Sequence, residues 1–181
     1  MKYNTEGAQA GLKSIRLLIL DVDGVLTCGQ VIYNDQGIET KIFNVRDGLG
    51  LRLLMHCGIE VCIATGRCAP ALRHRCQNLG ITRIYDGLRH KSQILDPLSR
   101  QSGLKPAQMG FMGDDLPDLG LMEKVGLAVA AADAAPEVTA AADAVTGQPG
   151  GMGAVRELCE AILKAQGRWT TLVQTIKDER L

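Results

Sequence analysis

The chain has 181 residues, a length typical of one domain. Lysine and arginine together number 20, the same as aspartate and glutamate, so the formal net charge is zero. A chain without net charge has no overall field that would attract nucleic acid or an anionic membrane surface, and neither is expected as a partner.

The N-terminal residues, 1–14, mix charged and small side chains and are predicted to be an extension that precedes the folded domain. They contain no apolar segment of the kind that a secretory signal requires. No later apolar run approaches the roughly 18 residues of a membrane-spanning helix. The protein is therefore expected to be cytoplasmic, and its six cysteines, which include no Cys-x-x-Cys pair, are expected to be free thiols.

Short apolar runs alternate with helical patterns over residues 15–167, the predicted domain. Continuous apolar runs are typical of strands covered on both faces, and the helical stretches carry proline near their starts or glycine after their ends. The elements expected, in chain order, are strand Leu17–Leu20, a hairpin within Val31–Phe43, helix Gly48–Met55, strand Glu60–Ala64, helix Pro70–Leu79, strand Arg83–Tyr85, helix Ser92–Ser102, strand Met109–Met112, helix Pro117–Val125, strand Leu127–Val129, strand Ala144–Thr146 and helix Ala154–Ala165. The alternation predicts an α/β fold with a single Rossmann-like, doubly wound parallel sheet and one projecting β-hairpin, followed by a C-terminal tail over 168–181.

Polar residues follow three of the predicted strands at the point where each strand ends. Asp21 and Asp23 follow the first strand, Thr65 follows the second and Asp114 follows a later one. In open α/β sheets ligands bind beyond the carboxyl ends of the strands, so these side chains are expected to share one site. Lys91, at the start of a predicted helix, is expected to face the same edge.

Clustered carboxylates at the end of a buried strand are costly unless a cation offsets their repulsion. Oxygen ligands suit Mg²⁺ rather than zinc or copper. The sequence predicts that Asp21, the backbone carbonyl of Asp23 and Asp114 hold a magnesium ion. Asp115 and Asp118, in the same motif as Asp114, are expected to support these ligands from behind.

The same residues suit phosphoryl transfer. A carboxylate beside Mg²⁺ can attack phosphorus, which makes Asp21 the predicted nucleophile. An acid two residues later can protonate the leaving oxygen and then accept a proton from water, which is the predicted role of Asp23. Lys91 and the Thr65 hydroxyl are expected to stabilise the phosphoryl oxygens.

These residues lie in DVDGV, ATGR, an isolated Lys91 and GDDLPD, whose order and spacing resemble the four motifs of the haloacid dehalogenase superfamily. An aspartate at position 23 is typical of that superfamily's phosphatases. The segments between the motifs are too short to contain a cap domain, so the resemblance is to the capless class. It implies a Rossmann-like domain and a phosphomonoester hydrolase that uses Mg²⁺.

Further similarity, in FNVRDG after the hairpin and GGMGAVRELCE near the C-terminus, points to capless enzymes that act on small phosphorylated sugar acids. The resemblance implies a homotetramer, and a neighbouring subunit is expected to form the lid, with the hairpin and the tail around Trp169, Leu172 and Ile176 at the interface. Arginine suits the carboxylate of such a substrate because it binds planar anions with two parallel hydrogen bonds. The substrate-binding residues that the resemblance implies are Asn44, Arg46, Asp47, Gly48, Arg52, Arg67, Arg75 and Lys91.

Other protein classes also place acids two residues apart. An EF-hand is excluded because Leu26 stands where its loop requires glycine and Ile32 where it requires glutamate. A phospho-receiver signalling domain uses Mg²⁺, aspartates, a threonine and a lysine, but its phosphorylated aspartate follows a later strand. A catalytically idle oligomerisation module has no need of all four motifs. A capless phosphatase for a nine-carbon sugar acid remains the nearest alternative enzyme.

Overall fold

The structure is a computed structural model that describes residues 1–179. These residues form strands and helices joined by short loops and 3-10 turns. The strands are β1 (Lys2–Tyr3), β2 (Leu17–Leu20), β3 (Ile32–Tyr33), β4 (Glu39–Thr40), β5 (Glu60–Ala64), β6 (Arg83–Tyr85), β7 (Met109–Gly113), β8 (Leu127–Ala130) and β9 (Ala144–Val145). The helices are α1 (Ala8–Ser14), α2 (Val45–His56), α3 (Pro70–Leu79), α4 (Leu95–Ser102), α5 (Leu119–Met122), α6 (Pro136–Ala141), α7 (Ala154–Ala165) and α8 (Trp169–Lys177).

Seven strands form one sheet in the order β1-β9-β8-β7-β2-β5-β6. All neighbours are parallel except β1, which runs antiparallel to β9. The predicted doubly wound parallel sheet is therefore confirmed. Strand β2 lies between β5 and β7, and Leu20 stands opposite both Ile63 and Met112. The carboxyl ends of these three strands consequently lie side by side.

The four residues of β2 alternate between two hydrophobic cores. Leu18 and Leu20 pack with residues of α1, α2 and α7, whereas Leu17 and Ile19 pack with residues of α4 and α5. All four side chains are fully buried. Burial of such a side chain contributes roughly 1.5–3 kcal/mol, which explains why the run contains no polar position. The packing of β2 therefore fixes the point at which the residues that follow it begin.

Two predicted helices are shorter than the sequence pattern indicates. The segment predicted as helix Ser92–Ser102 begins with a 3-10 turn, Lys91–Ile94, before α4. The segment predicted as Pro117–Val125 is a 3-10 turn followed by the four residues of α5. Side-chain hydrogen bonds of Asp115 and Asp118 to backbone N–H groups hold this second turn tight, and such bonds compete with a regular helix.

The segments near the two ends of the described residues pack on the domain. In residues 1–14, β1 extends the sheet and α1 buries Ala8 and Leu12. At the other end α8 buries Leu172, and the Trp169 ring lies against α7, whose Lys164 ammonium group is 5.3 Å from the ring centre. Residues 180 and 181 of the predicted tail lie outside the described residues. None of the helices within 1–179 has the length and apolar composition that crossing a bilayer requires.

The predicted hairpin is formed by β3 and β4, which pair antiparallel and stand apart from the main sheet. Its tip is closed by Asn34, whose side-chain oxygen accepts hydrogen bonds from the backbone N–H groups of Gln36 and Ile38. Ile38 and Tyr33 are 60% and 57% exposed. This concentration of exposed apolar side chains is unusual for a surface facing only water.

A buried acid joins helix α2 to helix α7. Asp47, in the first turn of α2, is 1% exposed and accepts a hydrogen bond from the Arg156 N–H at 2.7 Å. The residue before α7 is Gly153, which has no side chain to cap the helix. Asp47 therefore supplies the capping acceptor from another helix, although burial raises the pKa of its carboxyl group.

Replacement of this acceptor should destabilise the fold. We expect Asp47→Ala to lower the free energy of unfolding by about 1–3 kcal/mol, because it leaves buried N–H groups of α7 without a partner. Asp47→Asn keeps one acceptor oxygen and should lose less. Urea unfolding of both variants measures the difference. Equal stability of Asp47→Ala and the unmodified protein would contradict the capping role.

Candidate active site

Three adjacent strands of the sheet place their following residues around one cavity. Asp21 follows β2, Thr65 follows β5 and Asp114 follows β7. The cavity has a volume of about 420 Å³. Five acids and three cations line it: Asp21, Asp23, Asp114, Asp115, Asp118, Arg67, Arg89 and Lys91.

Lys91 is the buried cation at the centre of this cluster. Its side chain is 7% exposed, and its ammonium group lies 2.8 Å from Asp21 Oδ2 and within hydrogen-bond distance of Asp118 Oδ1. Burial disfavours the charge of Lys91, but Asp21 and Asp118 outweigh this effect and raise the pKa of the ammonium group. The lysine is therefore a fixed positive charge beside Asp21.

Asp118 braces the loop that carries Asp114. Its Oδ2 accepts hydrogen bonds from the N–H groups of Asp114 at 2.9 Å and Asp115 at 3.3 Å, while its Oδ1 accepts from Lys91. Oxygens of Asp21, Asp114 and Asp118 lie within 4.8 Å of one another. Because both oxygens of Asp118 already have partners, we assign it to support and not to metal ligation. Asp115 caps the following 3-10 turn through Leu116.

The remaining acidic oxygens fit a magnesium ion. Asp21 Oδ1 and Asp114 Oδ1 are buried without a hydrogen-bond partner among residues 1–179. No backbone N–H of those residues donates to the carbonyl of Asp23. Gly24, at φ +85°, keeps the space beside Asp114 open, since a Cβ there would lie 1.9 Å from Asp114 Oδ2. Unpaired buried oxygens facing one another are the donor set that Mg²⁺ prefers.

Crowding shifts the titration of these acids. Burial raises the pKa of Asp114 to about 7, and the neighbouring carboxylates of Asp21 and Asp118 add to the effect. Burial also raises the pKa of Asp21 to about 6, although Lys91 opposes the shift. Without a metal ion, both acids therefore bind protons at a pH where an exposed aspartate is ionised.

Asp23 has a partner that the sequence analysis did not identify. The Lys41 ammonium group contacts Asp23 Oδ1 and lies 3.0 Å from Glu39 Oε1, while Arg67 Nε is 3.6 Å from Asp23 Oδ2. The sequence does indicate that Glu39 and Lys41 lie on the same side of the hairpin, because side chains two residues apart in a strand point to the same face. That this side faces Asp23 depends on a long-range contact.

Thr65 lies at the cavity wall with its side chain turned to the loop. It is 2% exposed, and its hydroxyl oxygen accepts a hydrogen bond from the Arg67 N–H at 3.3 Å. The hydroxyl hydrogen is not used in that bond. It is therefore available to an anion in the cavity.

Most of the predicted substrate-binding residues lie outside the cavity in a single chain. Of that set only Arg67 and Lys91 line it. Asn44 caps α2 and donates to the Gly151 carbonyl, and Arg75 donates to the Asn44 carbonyl at 3.0 Å. Gly48 lies against the Arg75 guanidinium group, where a Cβ would be 2.2 Å from Nη2. The other three are Asp47, which caps α7, Arg52, which donates to the Asn78 carbonyl, and Arg46, which is exposed.

Arg89 lines the cavity although the sequence analysis did not select it. It has no ion-pair or hydrogen-bond partner within the described chain, whereas Arg67 and Lys91 contact carboxylates there. The residue is exposed. Among the described residues it is therefore a cation without a partner at the rim of the cavity.

The comparisons with known proteins agree with this arrangement. A family model described as haloacid dehalogenase-like hydrolase matches residues 80–157. The 3-deoxy-D-manno-octulosonate 8-phosphate phosphatase KdsC of Escherichia coli K12 is 48% identical over 159 residues, which are 88% of this chain and 85% of that protein. The chain belongs to this family of haloacid dehalogenase-like hydrolases. Its activity class is therefore that of a phosphomonoester hydrolase.

Solved structures of the family share the fold. The 3-deoxy-D-manno-octulosonate 8-phosphate phosphatase of Moraxella catarrhalis, in complex with magnesium, phosphate and KDO, has a TM-score of 0.92 and 39% identity, covering 96% of this chain and 99% of that one. The cobalt-bound phosphatase of Haemophilus influenzae has a TM-score of 0.86 and 41% identity, covering 89% and 94%. Both relatives contain a divalent cation, as the donor set here requires.

Metal removal should make the stability depend on pH. The pKa values of Asp21 and Asp114 are higher in the folded chain than the value of about 4 expected after unfolding. The metal-free folded protein therefore binds more protons than the unfolded chain between about pH 4 and 7, and it loses stability as pH rises through that window. Mg²⁺ displaces these protons, so the affinity of the folded protein for Mg²⁺ should rise with pH over the same window.

Thermal unfolding in EDTA and in excess Mg²⁺, at about pH 5.5 and about pH 8, measures both effects. Mg²⁺ should raise the melting temperature more at the higher pH. Asp114→Asn, which removes one of the two titrating acids, should reduce the Mg²⁺ effect at both pH values. An identical Mg²⁺ effect at the two pH values in the unmodified protein would contradict the assignment.

Proposed function

We propose that this protein is a magnesium-dependent phosphatase that hydrolyses 3-deoxy-D-manno-octulosonate 8-phosphate to the free sugar acid and phosphate. The observation that carries the proposal is the convergence of Asp21, Lys91 and Asp114 at the ends of β2 and β7, in a chain 48% identical to KdsC of Escherichia coli. The product is a building block of lipopolysaccharide, and we place the reaction in that biosynthesis. Six free thiols suit the cytoplasm as its location.

The first step transfers the phosphoryl group to the protein. A carboxylate oxygen of Asp21 forms a bond to phosphorus, and the bond between phosphorus and the sugar oxygen breaks. The electron pair of that bond stays on the sugar oxygen, which takes a proton from the Asp23 carboxyl group. The aspartyl-phosphate formed on Asp21 stores the group for the second step.

The second step returns the protein to its starting state. Water gives a proton to the Asp23 carboxylate and attacks phosphorus, and the bond between phosphorus and the Asp21 oxygen breaks. Inorganic phosphate leaves, and Asp21 is again a carboxylate. Each proton that Asp23 donates in the first step is thus recovered in the second.

Charge stabilisation comes from groups that are already in place. Lys91, held by Asp21 and Asp118, presents a fixed positive charge, and Thr65 offers its hydroxyl hydrogen. When bound by Asp21, the Asp23 carbonyl and Asp114, a magnesium ion supplies further positive charge to the phosphoryl oxygens. We assign the substrate carboxylate to Arg89, because this arginine has no acidic partner within residues 1–179.

A signalling receiver or an idle module is less consistent with the site. A receiver has no need of an acid beside its phosphorylated residue, yet Asp23 lines the cavity with one oxygen that has no hydrogen bond within the described residues. An idle module gains nothing from a buried Lys91 held between two carboxylates, an arrangement that costs desolvation energy. Repeated turnover is the function that uses both Asp23 and the buried Lys91.

A panel of sugar phosphates tests the function. Free phosphate should be released continuously from 3-deoxy-D-manno-octulosonate 8-phosphate with Mg²⁺ and not with EDTA. Turnover of a nine-carbon sugar acid 9-phosphate should be slower, and that of ribose 5-phosphate, which lacks the carboxylate, slower still. Asp21→Asn should retain less than about 1% of the activity, because loss of a nucleophile usually costs several orders of magnitude.

The matched control is Asp96→Asn, at an exposed position of α4 away from the cavity, which should keep full activity. Preference for the nine-carbon substrate would replace the proposed substrate within the same mechanism. Release of a single phosphate equivalent, or normal turnover by Asp21→Asn, would overturn the phosphatase mechanism itself.

Self-association is part of the proposal. The hairpin exposes apolar residues beside the cavity, and phosphoryl transfer benefits from a site closed to bulk water. We propose a homotetramer in which a neighbouring hairpin covers the cavity. Light scattering should give about four times the 19.4 kDa chain mass, and Ile38→Glu should lower both this mass and the activity. A fully active monomer would exclude the neighbour as a lid.

A further inference from the structure

Lys41 is a buried cation that the reaction as described does not use. Its side chain is 2% exposed, although lysine is almost never buried without a partner. Its ammonium group contacts Asp23 Oδ1 and lies 3.0 Å from Glu39 Oε1. Glu39 also contacts Arg67, whose guanidinium group donates to the Tyr33 hydroxyl. These contacts join Asp23 to the hairpin.

The two oxygens of Asp23 differ in their surroundings. Oδ1 is held by Lys41, whereas Oδ2 is buried without a hydrogen bond within residues 1–179, with Arg67 Nε at 3.6 Å. The Asp23 side chain lines the same cavity as Asp21. A contact on one oxygen fixes the rotation of a carboxyl group and leaves the other oxygen open to exchange a proton.

We propose that Lys41 is the positioning residue of the general acid and base. It holds the Asp23 carboxyl group so that Oδ2 reaches the leaving oxygen and then the attacking water, and Glu39 anchors Lys41 in turn. Lys41 itself exchanges no proton. The inference rests on the proposed function, because it requires that Asp23 acts on those two oxygens.

Loss of Lys41 is expected to lower the rate strongly, because proton transfer by Asp23 depends on the position of its carboxyl group. Proton transfer needs the two heavy atoms within about 2.6–3.2 Å, and a misplacement of about 1 Å can cost 10²-fold in rate. Without Lys41, the Asp23 carboxyl group keeps, among residues 1–179, only the 3.6 Å contact to Arg67, whose side chain is 43% exposed. The carboxyl group would then sample several rotamers. The cost should fall on kcat and leave substrate binding largely intact.

The test compares two leaving groups in Lys41→Met, Lys41→Arg and the control Lys124→Met, which removes an exposed lysine. The sugar alkoxide of 3-deoxy-D-manno-octulosonate 8-phosphate needs a proton to leave, whereas the nitrophenolate of p-nitrophenyl phosphate does not. For Lys41→Met we expect kcat on the sugar phosphate to fall about 100-fold, with KM changed less than about threefold. The kcat of Lys41→Arg on the sugar phosphate should be at least about tenfold higher than that of Lys41→Met.

The nitrophenyl substrate separates the two steps. Lys41→Met should release about one equivalent of nitrophenolate per chain in a rapid burst and then turn over slowly, because the first step escapes the need for an acid while hydrolysis of the aspartyl-phosphate still needs Asp23. A purely structural loss lowers the rates on both substrates equally and gives no burst. That outcome, or an unchanged kcat on the sugar phosphate, would overturn the proposal.

Two measurements keep the test decisive. Circular dichroism establishes that Lys41→Met is folded, and if it is not, Lys41→Arg is compared with the unmodified protein on the same substrates. Lys41→Arg should then still release nitrophenolate in a burst before a slower steady rate, and a lowered rate without a burst would overturn the role. If the unmodified protein does not hydrolyse the sugar phosphate, the proposed substrate fails, while the burst still reports on Lys41.

Discussion

Repulsion among carboxylates at the end of β2 is the constraint on which the site depends. Five acids and three cations line one cavity, and with all of them ionised the excess is two negative charges, which one dication offsets. Lys91 relieves part of the repulsion by lying between Asp21 and Asp118. Burial raises the pKa of Asp21 and Asp114, and at Asp114 the remaining repulsion adds to the shift. The protein keeps this unfavourable arrangement because β2 is packed on both faces and cannot move away.

The topology of the sheet makes that crowding possible. Strand β2 is flanked by β5 on one side and β7 on the other, so the chain runs outward from β2 in both directions. Such a point leaves an open crevice beyond the strand ends. The acids of β2 and β7 and the threonine of β5 meet there without any one loop having to reach across the sheet. Asp118 then fixes the β7 loop through two backbone N–H groups.

Local patterns predicted what depends on local chemistry. The apolar run of β2, the proline and glycine limits of α3 and the strand-end acids were all visible in the sequence, because burial and turn formation act over a few residues. Roles set by distant contacts were not visible. Asp47 reads as a polar residue in a motif, and only the packing of α2 on α7 makes it a cap for Arg156. Lys41 reads as an exposed hairpin residue until the hairpin folds onto Asp23.

The N-terminal strand has a consequence for how copies of the chain can meet. At one edge of the sheet β1 is only two residues long and antiparallel, and at the other edge β6 has three residues and begins with Arg83, which pairs with Glu60. Short edges bearing charge are poor templates for strand addition. The sheet is therefore poorly suited to growing edge to edge into fibres. Contacts between molecules are expected instead at the apolar hairpin and the helical faces.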